Sequence, residues 1–172
     1  MMEFVKLGST GHTWTDFASN WRAICEEYDD DFDDYAWGII SVLKPLCEKP
    51  ERQAAAFAVF DGSEYHSICQ LNCKPIKGHN GPVLRMRHLT INPHYDLGCR
   101  EVADYAKLMI KTVIGIWRLS EAESSDFFAD TIKFHMKSPA DRVLFHAMGE
   151  MLGGVRKIKT TTHGGWLELT KT

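Results

Sequence analysis

The sequence predicts one α/β (α+β) domain over residues 1–172, and three observations carry that expectation. Apolar residues recur at helical spacing in four separate stretches, and apolar or alternating runs of strand length lie between them. The run from Val83 to Ser120 reads as strand, loop and long helix in direct succession. With 172 residues, 44% of them hydrophobic and 25% charged, the chain has ordinary globular composition and enough length to bury a substantial core. No segment repeats and none is of low complexity, which excludes solenoids and flexible arrays.

Taken in order, Phe4-Val5-Lys6-Leu7 alternates like an edge strand, and Gly8 to Thr13 form a loop. Thr13 or Thr15 caps a helix that places Phe17, Trp21, Ile24 and Tyr28 on one face. A second helix is predicted from Asp33 or Asp34 to Cys47, with Trp37, Ile40, Leu43 and Cys47 as its apolar side and Pro45 and Pro50 marking its end. Ala54–Phe60 and His66–Lys74 flank the turn dipeptide Asp61-Gly62 and read as a β-hairpin. After the loop Lys77–Pro82, Val83–Ile91 is a strand stopped by Asn92-Pro93. Glu101–Leu119 follows as a helix with Val102, Tyr105, Leu108, Met109, Val113 and Ile116 in its stripe. A strand at Phe128–His135, a helix at Pro139–Leu152 and short strands at Val155–Thr161 and Gly165–Leu169 complete the order β-α-α-β-β-β-α-β-α-β-β.

A formal net charge of -3 argues against a nucleic-acid binder, although Arg85, Arg87, Arg156, Lys157 and Lys159 alternate along strands as a solvated basic face would. No signal peptide and no bilayer-length apolar run is present, so a soluble cytoplasmic protein without a membrane partner is expected. The five cysteines are odd in number and scattered, which reads as free thiols in the core. Cys99 lies beside Gly98 at a predicted helix start, where a thiol gains acidity.

The eight histidines hold no HExxH and no i, i+4 pair, so His88, His135 and His146 gain no third ligand and no metal is expected. The acidic run Tyr28 to Asp34 fails as a calcium loop, because Asp34 falls where glycine is required and Ile40 where the closing glutamate belongs. It reads as a solvated turn, or as a surface for a basic group. Neither a GxSxG elbow nor a phosphate-binding P-loop occurs.

Two local patterns resemble the GNAT superfamily of N-acyltransferases. Leu89-Thr90-Ile91-Asn92-Pro93-His94-Tyr95, ahead of Asp96-Leu97-Gly98 and a helix, looks like that family's fourth strand and phosphate loop. Ile132-Lys133-Phe134-His135, followed by Pro139–Gly149, looks like its fifth strand and next helix. The resemblance covers about Val83–Leu152 and implies a central mixed, mostly antiparallel sheet flanked by helices. It also implies transfer of an acyl group, acetyl first of all, from acyl-CoA to a small-molecule or peptide amine.

Thr90 and Ile91 would then offer a strand edge to the pantetheine arm. Gly98, Cys99 and Arg100 would meet the pyrophosphate, as helix N-terminal amides do elsewhere. An amine must lose a proton before attack, and the resemblance makes His88 the first base and His135 the second. The acidic turn between the first helices would favour a cationic acceptor. The chain departs from the family pattern at Asp96, Cys99 and Glu101 in the loop, and at Phe145 where many members carry a tyrosine acid. These departures leave open a non-catalytic binding or assembly module, with Trp14, Trp117 and Trp166 available to a homodimer or partner face.

Overall fold

The structure, a computed structural model, describes residues 2–98, 100–136, 139–153 and 157–172. Its elements run β1 (Glu3–Leu7), α1 (Trp14–Glu27), α2 (Phe32–Tyr35), α3 (Trp37–Glu48), β2 (Ala54–Phe60), β3 (Tyr65–Pro75), β4 (Pro82–Ile91), α4 (Pro93–Asp96), α5 (Val102–Glu121), β5 (Thr131–His135), α6 (Pro139–Gly153), β6 (Ile158–His163) and β7 (Trp166–Lys171). This is the expected order with two single-turn helices, α2 and α4, added. The seven strands form one mixed sheet in the order β1-β2-β3-β4-β5-β7-β6. β4 and β5 are parallel, whereas β1 with β2, β5 with β7 and β6 with β7 are antiparallel. No helix among the described residues is long and apolar enough to cross a membrane.

The chain divides into two compact units. The first holds Met1–Leu71 and His88–Ile116, and the second holds Asn72–Arg87 and Trp117–Thr172.

In the first unit α1 begins at a capping box. Thr13 accepts from the Asp16 N–H at 3.1 Å, and the Asp16 carboxylate accepts from the Thr13 N–H, also at 3.1 Å. Phe17, Trp21 and Ile24 are buried as the spacing predicts, together with Leu43 and Cys47 of α3 and the small residues Ala54, Ala56 and Ala58 of β2. Small side chains on β2 leave room for the aromatic rings of α1, where Phe17 and Trp21 lie 4.5 Å apart. α5 approaches β1 closely at Gly115, where a Cβ would run into the Phe4 ring. Gly115 is therefore required by contact, not by backbone conformation.

Two expected core positions are corrected. Trp37 is 77% exposed, because the buried face of α3 runs through Ile39, Leu43, Leu46 and Cys47 and Trp37, at its first position, lies on the other side of the helix. Val102 is 85% exposed at the first turn of α5, where the stripe of Leu108, Met109, Val113 and Ile116 has not yet reached the core. Pro45 also sits inside α3 rather than ending it; the helix continues three residues to Glu48, and the Lys49 N–H closes onto the Pro45 carbonyl. Thr13 rather than Thr15 is the cap of α1, and Tyr28 lies just past the end of that helix.

In the second unit Ile132, Phe134, Leu167 and Leu169 are buried, and the β6–β7 hairpin turns through Gly164 and Gly165 at positive φ. Trp166 packs on His135, and the Trp117 indole donates to Glu121 at 2.8 Å, so both rings have partners. Trp14 is buried against Phe17. Cys25, Cys47, Cys69 and Cys73 are free and buried, as expected, and burial pushes the Cys25 thiol up to about 11 and the Cys47 thiol up to about 12. Cys99, Val155 and Arg156 lie outside the described residues.

A single buried amide ties β3 to the end of β4. Asn92 is fully buried; its Nδ2 donates to the Tyr65 carbonyl at 2.9 Å, and its Oδ1 accepts from the His94 N–H at 2.8 Å, capping α4. Replacing Asn92 by Ala removes both bonds, and the expected loss is about 1–3 kcal/mol in chemical denaturation. An unchanged midpoint in that variant would show that the amide does not hold the corner.

Candidate functional site

The residues with chemistry to offer gather around the β4–α4 corner of the first unit. Ahead of the corner, His88 sits in β4 at φ 51, a left-handed conformation inside a strand. Such a residue interrupts the regular ladder, and among non-glycine residues histidine, asparagine and aspartate tolerate it best. Beyond it Thr90 and Ile91 are half-buried. The Ile91 carbonyl accepts from the Tyr35 hydroxyl at 2.9 Å.

The Tyr35 hydroxyl also lies 2.8 Å from Asp96 Oδ2, so its single proton is shared between that carboxylate and the Ile91 carbonyl. Burial first, and then the bond to Asp96, hold the Tyr35 phenol above its ordinary range, so it remains a donor. The Asp96 carboxylate, one of the departures from the GNAT pattern, is therefore engaged by a tyrosine of α2. Gly98 packs directly beneath: a Cβ there would strike the His94 carbonyl and would stand 2.6 Å from the Tyr28 hydroxyl. Tyr28 in turn bonds His94 Nδ1 at 2.9 Å. Arg100 is exposed, with its guanidinium 5.7 Å from the centre of the Tyr95 ring.

A chain of three side chains that sequence reasoning did not bring together runs through the same corner. His66 is 4% exposed; its Nε2 lies 2.8 Å from Asp61 Oδ2 and its Nδ1 lies 3.3 Å from the Tyr95 hydroxyl. Asp61 opens the β2–β3 turn, and its Oδ1 accepts from the Ser63 N–H, the Ser63 hydroxyl and the Glu64 N–H, each at 2.9 Å. Burial opposes its ionisation, but the Glu64 amide, the His66 ring and Ser63 outweigh that and hold the carboxyl well below the usual carboxylate range. With Asp61 accepting at Nε2, a neutral His66 ring accepts the Tyr95 hydroxyl at Nδ1. Burial raises the Tyr95 phenol, against the pull of Arg100. These groups line a cavity of about 210 Å³. Their separation by 29 residues between His66 and Tyr95 explains why spacing alone could not reveal them; the Asp61-Gly62 turn five residues before a histidine was the only local signal.

The expected acceptor surface at the acidic run is largely spent on structure. Asp31 caps α2 by accepting from Asp33 and Asp34, and Asp33 lies 3.5 Å from Arg22. In the second unit His135 sits against Trp166 with ring centroids 4.6 Å apart. Lys133 Nζ meets Glu168 at 2.9 Å, and His79 meets the same carboxylate at 3.2 Å. Phe145 is fully buried and stacks on Phe134 at 5.5 Å, so it is a core side chain. Arg85 is half-buried and donates to Asn72 at 2.8 Å, which removes it from any open basic face.

No family model matches the sequence, and no curated protein matches it. Solved structures do. A probable acetyltransferase from Staphylococcus epidermidis superposes over 100% of both chains with a TM-score of 0.54 at 12% identity. The chain has the GNAT fold. An N-acetyltransferase of Campylobacter jejuni matches 99% of both chains with a TM-score of 0.51 at 11% identity. An aminoglycoside acetyltransferase from an uncultured soil metagenomic sample matches 95% of this chain and 98% of its own, with a TM-score of 0.51 at 12% identity. At such identities the likeness speaks for the GNAT fold and not for a substrate.

The Asp61 environment predicts an acid-sensitive corner. Its carboxyl is held below the value of 3.8 that it would have in the unfolded chain. Its contribution to stability is therefore complete above that value and fades as pH falls through it toward the folded value. Denaturation at pH 7 and at about pH 3 should show a smaller loss on acidification for Asp61→Asn than for the parent chain. Equal losses in the two proteins would contradict the assignment.

Proposed function

We propose that the protein is an N-acyltransferase that moves an acyl group, acetyl first of all, from acyl-CoA to a primary amine. The observation that carries this reading is the state of the β4–α4–α5 corner within a GNAT fold. Asp96 is turned onto Tyr35 and Gly98 is packed against α4, so the obstacle most evident in the sequence is drawn aside. The strand edge at Thr90 and Ile91 would take the pantetheine arm. Gly98, Cys99 and the first amides of α5 would take the pyrophosphate, with Arg100 adjacent. Acyl-CoA supplies the activated thioester; the chain's own residues hold it and relieve the amine of its proton.

His88 is the proposed base. Its backbone conformation at φ 51 sets it apart from every other residue of β4, and strain of that kind accompanies functional positions more often than structural ones. His135 is the second candidate, with its ring laid against Trp166. No tyrosine acid stands at Phe145, so the departing thiolate would take its proton from solvent or from another group. The acceptor is a small or peptidic amine, and the cationic preference suggested by the acidic run rests on Asp29 and Asp34 once Asp30, Asp31 and Asp33 are engaged.

Two measurements test the proposal. Acetyl-CoA and CoA should raise the melting temperature by mass action, equivalent to about 2.7 kcal/mol at a hundredfold excess over Kd. No shift at millimolar CoA would leave a GNAT-fold module without the cofactor. Release of CoA thiol should then be followed over a panel of amines. His88→Asn, which tolerates the same positive φ, should lower turnover by about 10²- to 10⁴-fold while leaving the CoA-induced shift intact. Full turnover in that variant would remove His88 from the mechanism.

A further inference from the structure

The cavity beside the N-terminal end of α5 brings Glu64, His66 and Tyr95, which the acyltransferase reading does not use, together with Arg100, which that reading sets beside the pyrophosphate. Most of its polar groups are satisfied internally: Asp61 by the turn and His66, and Asp104 by Lys107 at 3.1 Å. Two are not. Glu64 Oε2 is shielded from solvent and has no hydrogen-bond partner, while its other oxygen stands 3.9 Å from His94 Nε2. Arg100 lies over the Tyr95 ring, and among the described residues no carboxylate pairs with it. Glu64 and Arg100 line the same cavity without meeting each other. A carboxylate oxygen left dry and unpaired is costly, so the arrangement is complete only when something donates to it.

Tyr95 fixes the polarity of that donor. The Asp61 carboxylate accepts from His66 Nε2, and with the ring neutral Nδ1 accepts from the Tyr95 hydroxyl. The Tyr95 oxygen is then left as an acceptor. A ligand group that approaches both Tyr95 and Glu64 must carry N–H or O–H donors and is favoured by positive charge, whereas a group that approaches Arg100 must be anionic.

We propose that this cavity binds a small zwitterionic amine, its ammonium on Glu64 and the Tyr95 oxygen and its anionic group on Arg100. The volume of about 210 Å³ lies below the ~300–1,000 Å³ usual for drug-sized ligands, which limits the ligand to the scale of a small amino acid. The inference stands apart from the acyltransferase reading, because the ligand binds whether or not it is acylated.

The probes are glycine, β-alanine and 4-aminobutyrate, which step the charge separation, with butylamine and butyrate as single-charge controls. Calorimetry and backbone-amide NMR on the full chain, without CoA, give the readout. At least one zwitterion is expected to bind saturably with shifts at Glu64, Tyr95 and Arg100, and to bind about tenfold or more tightly than either control. Glu64→Gln and Arg100→Gln should each weaken it about tenfold or more, which is about 1.4 kcal/mol. Arg100 is exposed, so its variant keeps the test valid if Glu64→Gln alters the fold. The proposal is overturned if no zwitterion saturates, if a singly charged control binds as tightly, or if Arg100→Gln binds like the parent chain. A CoA-induced melting shift without zwitterion binding would sink this inference and leave the acyltransferase reading standing.

Discussion

The carbonyl of Tyr65 is the point on which the first unit's chemistry depends. It accepts from the Trp21 indole at 2.6 Å and from the Asn92 amide at 2.9 Å, so both of its lone pairs are used in the core. The Tyr65 N–H is taken by Asn20 at 3.0 Å. One backbone unit at the start of β3 thus joins α1 to the end of β4. The neighbouring backbone bond, Asn92 N–H to the His66 carbonyl at 2.9 Å, continues the tie. Buried polar groups that are fully paired in this way rigidify their surroundings, and losing one partner costs more than a surface bond would. Every residue discussed at the corner is positioned relative to this junction: His66 follows Tyr65, and His94, Tyr95 and Asp96 follow Asn92 within one helical turn.

That junction explains why a four-residue helix can persist at all. An isolated turn of helix is not stable by itself. α4 has Asn92 as its cap, Pro93 at its first position and a Tyr35–Asp96 bond at its far end, so three constraints hold four residues. Holding the turn fixes the directions of its side chains. Tyr95 goes to His66, Asp96 goes to Tyr35, and His94 goes to Tyr28. Three successive residues are thereby assigned to three different partners, and Gly98 is pressed onto the turn where no side chain would fit.

The legible parts of the sequence were those governed by local periodicity. Phe17, Trp21 and Ile24 are buried because their spacing follows one unbroken helix, and the Asp61-Gly62 turn falls between the neighbouring strands β2 and β3. Trp37 misled because three-residue steps drift around a helix: by Leu43 the chain has turned away from Trp37, and the buried face is that of Ile39, Leu43, Leu46 and Cys47. Asn92-Pro93 was readable as a stop and not as a lock, since a proline after a strand says only that the ladder ends. The chain from Asp61 through His66 to Tyr95 could not be read, because it joins residues of different elements through contacts that only the folded corner creates.

Two of the four departures from the GNAT pattern, Asp96 and Phe145, differ in kind. Asp96 is an acid in a place where a phosphate would be repelled, yet its charge is bound to a tyrosine that burial keeps protonated. That carboxylate is engaged by a residue sixty-one positions away. Phe145 has no such partner. It is closed into the core against Phe134, where a hydroxyl would need a hydrogen bond that the packing does not provide. The first departure is a change of wiring and the second a change of function for the position. Under the acyltransferase proposal the proton for a departing thiolate would come from elsewhere, and the β4–α4 corner is where histidine, tyrosine and carboxylate are held in fixed order.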